Sequence, residues 1–227
     1  MQKVLITGGT AGIGQAIAKA CVAKGHSVVV TGRNPAKLAA AVGVEAIAWD
    51  IRDLNILDSK LQVIGDIDIL INNAGDLTGC RFPNITEACW DNIQGAHAKG
   101  VFFLTQAVVR RWLAAGTRGR ILNITSVRSV LGVEDGPYGM AKWGVRGLTA
   151  GLALKLAPYG ITVNALAPGI IDTPGLRAIW PGYNASKVPL GRLGCPDEIA
   201  DAALFILSCG YMTGQTIVCD GGMSLKC

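Results

Sequence analysis

The sequence predicts an α/β fold: one doubly wound parallel sheet of seven strands with helices on both faces, in a single domain over 1–227. Three observations predict it. Short apolar runs such as Val4-Leu5-Ile6 and Ile69-Leu70-Ile71 are continuous rather than alternating, as strands buried on both faces are. Helical patterns separate these runs, and that alternation implies parallel strands joined by crossovers. The first run passes straight into a glycine-rich turn and a helix pattern.

Composition bounds the function. The 227 residues suit one α/β domain with a sizeable core, and 50% hydrophobic with 16% charged residues excludes wholesale disorder. No apolar run approaches the roughly 18 to 20 residues of a membrane span. A strand-like run begins within three residues of Met1, which leaves no room for a signal peptide. Cys21, Cys80, Cys89, Cys195, Cys209, Cys219 and Cys227 are odd in number and form no C-x-x-C, so reduced thiols in the cytoplasm are expected, with no metal site. The net charge of +5 comes without a dense basic run. Arg110-Arg111 and Arg118-Gly119-Arg120 read as solvated surface, not a nucleic-acid stripe. The positive excess suits an anionic cofactor.

Val4-Leu5-Ile6 is the first strand. Gly8, Thr10, Gly12, Ile13 and Gly14 form the turn and open a helix pattern that runs on through Ala20. Glycines allow close backbone approach, and a helix N-terminus offers free N–H groups and the positive dipole end, which together suit a dinucleotide pyrophosphate. Ser27-Val28-Val29-Val30-Thr31 is the second strand, followed by Gly32-Arg33-Asn34. At this strand end a dinucleotide fold meets the adenosine ribose, where an acid would bind a 2′-hydroxyl. No acid stands there. Arg33 can instead pair with a 2′-phosphate through its planar fork, so NADP(H) is favoured over NAD(H); a solvated loop cation is the other reading.

Positions 45–49 read as the third strand, ending at Asp50-Ile51, with shortened helices on either side, and Ile67-Asp68-Ile69-Leu70-Ile71 as the fourth, ending at Asn72-Asn73-Ala74-Gly75. Positions 85–115 carry one long helical pattern that contains His97. Arg120-Ile121-Leu122-Asn123-Ile124 is the fifth strand, with Thr125-Ser126 at its carboxyl end, where an open parallel sheet binds ligands. The following loop, with Arg128, Glu134 and Asp135, walls a cleft. A helix then runs from Tyr138 to about Ala157, a strand over 161–166, an irregular stretch over 175–188, an amphipathic helix over 197–208, and the last strand at Thr216-Ile217-Val218-Cys219.

Tyr138 and Lys142 are four residues apart and share one helix face. A phenol with a pKa of about 10 is a poor acid or base at neutral pH. An ammonium one turn away favours the phenolate and lowers that pKa, so Tyr138 could exchange a proton with an alcohol or carbonyl oxygen. A solvated helix face would carry the same pair.

The glycine turn at the spacing G-x-x-x-G-x-G, Asn123-Ile124-Thr125-Ser126 and Tyr138-Gly139-Met140-Ala141-Lys142 together resemble the short-chain dehydrogenase/reductase family over nearly the whole chain. The resemblance implies hydride transfer between a nicotinamide cofactor and a carbonyl or alcohol substrate. In it Tyr138 is general acid and base, Ser126 orients the substrate oxygen, and Lys142 binds the nicotinamide ribose and depresses the tyrosine pKa. It further implies that Asp50 and Ile51 lie against the adenine, the Asp50 carboxylate accepting from its amino group. Asn73, Ala74 and Gly75 line the cofactor cleft, while Pro168, Gly169, Ile171 and Thr173 hold the carboxamide. A short lid over 174–189 covers the substrate. Where the family has an asparagine at a helix kink beside a relay water, this chain has His97, either a second proton carrier near Lys142 or a packed helix residue.

The family commonly forms D2 tetramers, and 101–109 and 216–223 supply apolar material for such contacts. The expected substrate is a free small or medium ketone or its alcohol, its pocket drawn from Asp76, Leu77, Arg128, Leu131, Glu134, Trp180 and Tyr183. Acyl-carrier reductases usually bear two arginines at the mouth. Tyr159 occupies one of those positions, while Arg118 and Arg120 lie near the other. A non-catalytic NADP(H)-binding sensor is a further alternative, which the intact Ser126, Tyr138 and Lys142 argue against.

Overall fold

The structure is a computed structural model and describes residues 1–33, 44–75, 82–132 and 136–225. The strands are β1 (Lys3–Thr7), β2 (Ser27–Gly32), β3 (Glu45–Ala48), β4 (Ile69–Asn72), β5 (Arg120–Ile124), β6 (Thr162–Pro168) and β7 (Thr216–Cys219). They form one seven-stranded sheet in the order β3-β2-β1-β4-β5-β6-β7, all pairs parallel. The described helices are α1 (Gly12–Ala23), α2 (Leu57–Ile64), α3 (Glu87–Gln94), α4 (Gly100–Ala115), α5 (Pro137–Leu156), α6 (Pro174–Ile179) and α7 (Pro196–Ser208). The fold class expected from the sequence is the one observed.

Alternation along β1 assigns the two faces of the sheet. Val4 and Ile6 point to one side and pack with Ile17 and Cys21 of α1 and Ile199 and Ile206 of α7. Leu5 points to the other, against Leu61 of α2, Leu104 and Trp112 of α4 and Leu156 of α5. Both faces are therefore covered, which is why the strands read as unbroken apolar runs. The strand order reverses direction between β1 and β4, and the crevice outside their carboxyl ends is where an open sheet of this kind takes a ligand.

Two local features differ from expectation, and a third gives the kink implied at His97 its form. The long helix is interrupted there: a π-helical turn, Gly95–Lys99, separates α3 from α4. It forms where the helix packs on the chain leaving β3: a Cβ on Gly100 would stand 2.8 Å from the Ile51 carbonyl oxygen. The stretch expected to be irregular begins with α6, which Thr173 caps by accepting from the Leu176 N–H at 3.2 Å, with Pro174 in its first turn. Cys89 is disulfide-bonded, which corrects the expectation of thiols throughout, whereas Cys21, Cys195, Cys209 and Cys219 are free. Among the described residues no helix is long and apolar enough to cross a membrane.

Candidate active site

A cleft of about 1050 Å³ runs across the carboxyl edge of the sheet, from Arg33 and Asp50 at one end to Ser126, Tyr138 and Lys142 at the other. Thr10, Gly12, Ile13, Gly75, Pro168, Gly169, Ile171 and Thr173 line it between or beside these ends. Sequence positions far apart thus meet because their strands end on one edge. Asn34, Asp76, Leu77, Glu134 and Asp135 lie outside the described residues.

The glycine turn is fastened to the end of β4. Thr7 Oγ1 accepts from the backbone N–H groups of Asn73 and Ala74, both at 3.0 Å, and Asn73 Nδ2 donates to the Thr7 and Gly8 carbonyls, also at 3.0 Å. Gly8 has a φ of 64°, in the left-handed region, and a Cβ there would stand 2.8 Å from Ala74 Cα. No side chain caps α1, and its first turn holds no acid. Its amino end therefore keeps N–H groups and the positive dipole end available to an anion. That unclaimed helix end, opening on a cleft this long, fits a dinucleotide cofactor.

At the end of the cleft beside β2 and β3, Arg33 lines it together with Asp50, Ile51 and Arg52. Arg52 is the residue that sequence reasoning missed. Its Nε donates to Asp50 Oδ1 at 2.9 Å and Oδ2 at 3.1 Å, Nη2 also contacts Oδ2, and Nη1 reaches Asn92. The Arg52 guanidinium holds the Asp50 carboxyl below its ordinary pKa, with Arg33 adding to the effect. The carboxylate expected to accept from an adenine amino group is thus already engaged by Arg52.

At the reaction end, Ser126 begins the 3-10 turn Val127–Ser129, and its Oγ accepts from the Arg128 N–H at 3.2 Å. The Ser126 side chain also favours the ionised form of the Tyr138 hydroxyl. Lys142 is buried, and its Nζ donates to the Ile124 carbonyl at 2.9 Å. It stands 5.6 Å from the Tyr138 ring centroid, as does the Arg128 guanidinium carbon. The expected net lowering of the tyrosine pKa is corrected: desolvation raises it, only partly offset by the Ser126 side chain and the Arg128 charge. Burial likewise pushes the Lys142 ammonium down to about 8. In this state Tyr138 is a neutral phenol at neutral pH.

His97 lies in the π-helical turn and is buried against Tyr138, ring centroids 5.0 Å apart. A Cβ on Gly75 would stand 1.9 Å from His97 Cε1, so the imidazole is accommodated only because position 75 is glycine. Beneath the site, a buried polar ladder ties β4, β5 and α5 together. Asn72 Nδ2 donates to Asn123 Oδ1 at 2.8 Å and Asn123 Nδ2 to Thr149 Oγ1 at 2.9 Å. The Thr173 hydroxyl, although it caps α6, keeps its own hydrogen for an outside acceptor. Leu131, Trp180 and Tyr183 line the cleft as expected, and Phe82, Leu176, Lys187 and Met223 join them unforeseen. Arg118 and Arg120 are at the amino end of β5, where Arg118 packs against Gly160, so within one chain they stand on the edge of the sheet opposite the cleft.

A family model described as Enoyl-(Acyl carrier protein) reductase matches residues 8–224. The chain is 30% identical to a crystal structure of a short chain dehydrogenase from Bacillus anthracis, with a TM-score of 0.90 over 98% of this chain and 96% of that one. The chain belongs to the short-chain dehydrogenase/reductase family. It is also 35% identical to the 3-oxoacyl-[acyl-carrier-protein] reductase FabG of Vibrio harveyi, over 96% of each chain. A structure from Agrobacterium tumefaciens, provisionally assigned as a 2-deoxy-d-gluconate 3-dehydrogenase with bound NADP, is 36% identical. It has a TM-score of 0.88 and covers 99% of this chain and 97% of that one. As a short-chain dehydrogenase/reductase, the protein is an oxidoreductase acting on CH–OH and C=O groups with NAD or NADP.

Proposed function

We propose that the chain is an NADP(H)-dependent oxidoreductase interconverting a free small or medium ketone and its secondary alcohol, with cofactor and substrate sites in a single domain. One observation carries the reading. Ser126, Tyr138 and Lys142 share one end of the cleft whose length runs past the glycine turn to Arg33. The bound nicotinamide supplies or takes the hydride. Gly8, Thr10, Gly12, Ile13 and Gly14 with the amino end of α1 would hold the pyrophosphate, Arg33 a 2′-phosphate, and Asp50 and Ile51 the adenine side. Asn73, Ala74 and Gly75 would line the middle, and Pro168, Gly169, Ile171 and Thr173 the carboxamide.

Tyr138, kept a neutral phenol by desolvation, gives its proton to the substrate oxygen in reduction and takes it back in oxidation. Ser126, whose side chain acts on that phenol, orients the same oxygen. Lys142 holds the ribose hydroxyls and lends its charge as phenolate character develops. His97, against the Tyr138 ring, is the second proton carrier in this reading. The NADP bound by the Agrobacterium tumefaciens protein supports the choice of cofactor alongside Arg33.

A second reading, reduction of 3-oxoacyl groups on a carrier protein, is favoured by the likeness to the Vibrio harveyi reductase. Tyr159, where a carrier-binding arginine is expected, weighs against it. The deciding experiment follows NADPH oxidation across a panel of free ketones and a 3-oxoacyl thioester on carrier protein. Turnover of free ketones supports the proposal. Turnover of the carrier-bound thioester alone transfers the assignment to the second reading, and NADPH binding without any turnover leaves a sensor.

A further inference from the structure

The segment after β6 presents two aromatic rings on a pre-set turn. Beyond α6 the chain reads Trp180-Pro181-Gly182-Tyr183. Proline fixes its φ at about −65°, and Gly182 has a φ of 74°, the combination that a type II turn needs at its two central positions. The Tyr183 N–H donates to the Trp180 carbonyl at 3.3 Å and closes the turn. Trp180 and Tyr183 therefore stand side by side, ring centroids 6.5 Å apart and planes at 63°. Both rings are half-buried, and both line the cleft.

The turn is fastened on either side. Leu176 is buried, and its carbonyl accepts from the Trp180 N–H at 2.8 Å. Val188 is buried, and the Leu190 N–H donates to the Gly221 carbonyl at 3.1 Å, two residues before Met223. The segment leaves β6, the neighbour of β5, whose end leads to Ser126, so the two rings belong to the reaction end of the cleft. Leu131, whose N–H donates to the Val127 carbonyl at 3.0 Å, lines the cleft as well, as do Phe82 and Met223.

Apolar surface left half-open in a cleft gains when a ligand covers it, and rings on an ordered backbone lose little further freedom when it does. An alkyl chain would meet that need on any apolar wall. A pair of rings asks for more, because aromatic rings prefer edge-to-face or offset contacts at centroid separations of about 4.5–7 Å. Two rings inclined at 63° form a corner in which a third ring meets the face of one and the edge of the other. A saturated ring offers neither, and the Met223 thioether also suits an aromatic edge.

We propose that the substrate is an aryl-substituted ketone, and its product the matching secondary alcohol, whose aromatic ring packs on Trp180 and Tyr183 while its carbonyl lies between Ser126 and Tyr138. The inference rests on the carbonyl-reducing reading above and names its substrate class. The ring takes no part in the redox step: the carbonyl carbon gains hydride, its oxygen gains the Tyr138 proton, and the cofactor is oxidised.

The test measures kcat/KM with NADPH for methyl ketones whose phenyl group stands one, two or three methylenes from the carbonyl, each paired with its cyclohexyl counterpart, and for acetone. The methylenes keep every carbonyl unconjugated, so the ratio within a pair reads the ring. At one tether length or more, the phenyl ketone is expected to exceed its cyclohexyl partner by about threefold or more, the scale of an aromatic pair. It should exceed acetone by about tenfold or more, the scale of a buried apolar group. Trp180→Leu and Tyr183→Leu keep apolar bulk and remove a ring, and each should bring the phenyl-to-cyclohexyl ratio towards one, chiefly through KM. Trp180→Phe and Tyr183→Phe should recover it. A cooperative melt shows that each variant is folded, and methionine replaces leucine in any that is not. Cyclohexyl ketones reduced as well as phenyl ketones at every length, a ratio unchanged in both folded leucine variants, or acetone reduced as well as any would each overturn the proposal while leaving the oxidoreductase reading intact. Failure to reduce any of these ketones would remove the free-ketone reading and this inference together.

Discussion

The imidazole of His97 stands edge-on to the phenol of Tyr138, ring centroids 5.0 Å apart and planes at 82°. The sequence suggested a proton carrier near Lys142; the ring in fact lies directly against the residue proposed to exchange the proton, with Lys142 and Arg128 over the same phenol. An imidazole can take up and release a proton, which an asparagine amide cannot. The pH profile of turnover should therefore carry a limb that is lost in His97→Asn while the limb due to Tyr138 remains. A folded His97→Asn variant with the same profile shape would make His97 a packing residue.

Arg33 lines the end of the cleft where Asp50 stands, and its charge acts on that carboxylate. NADPH should bind more tightly than NADH, and Arg33→Asp should reduce the ratio of the two affinities by about tenfold or more, the scale of a lost charged hydrogen bond. Titration calorimetry with both cofactors reads this directly, and equal affinities in the unmodified protein would contradict it.

Lys142 makes a stability prediction with a definite sign. Burial lowers its pKa from 10.5 to about 8. Between these values the unfolded chain holds a proton that the folded chain has lost, so stability rises with pH through the window. Below it, the folded state bears the cost of a buried ammonium. Lys142→Met should abolish turnover yet stabilise the cofactor-free protein at pH 7 by about 1–2 kcal/mol once the lost bond to Ile124 is discounted. The gain should shrink as the pH approaches 10. A variant less stable than the parent at pH 7 would contradict the assignment.

Assembly follows from exposed apolar side chains on three elements: Phe102 and Phe103 of α4, Met140 and Trp143 of α5, and Val218 of β7, the last strand at one edge of the sheet. Covering these faces through the two long helices and the β7 edge would build the D2 tetramer expected from the resemblance. Sedimentation should give about four times 23.6 kDa at micromolar concentration, and a monomer would contradict it.

Strands were the legible part of this chain, because burial on both faces leaves an apolar run that stops where glycine, asparagine or aspartate begins. Arg120–Ile124 and Thr216–Cys219 agree residue for residue with the sequence reading. The short helices were harder. Leu57–Ile64 has only Leu57, Leu61 and Ile64 to mark its face, and Pro174–Ile179 is announced by Thr173-Pro174, a capping signal that was present and passed over. The interruption at His97 was implied only by the family's helix kink, while its π-helical form depends on how Gly95 and Gly100 pack on Arg52 and Ile51. Motif spacing brought Ser126, Tyr138 and Lys142 forward as candidates, but the direction of the Tyr138 pKa depends on burial by distant segments. The Asp50–Arg52 pair depends on the bend of a loop, and neither has a period in the sequence to reveal it.

The account stands most directly on Tyr138. Tyr138→Phe keeps the ring against His97 and deletes only the hydroxyl. Ketone-dependent NADPH oxidation should fall by at least about a hundredfold, the scale of general acid–base catalysis, with NADPH affinity little changed. Near-normal turnover in the phenylalanine variant would mean that the proton comes from elsewhere, and would contradict the account.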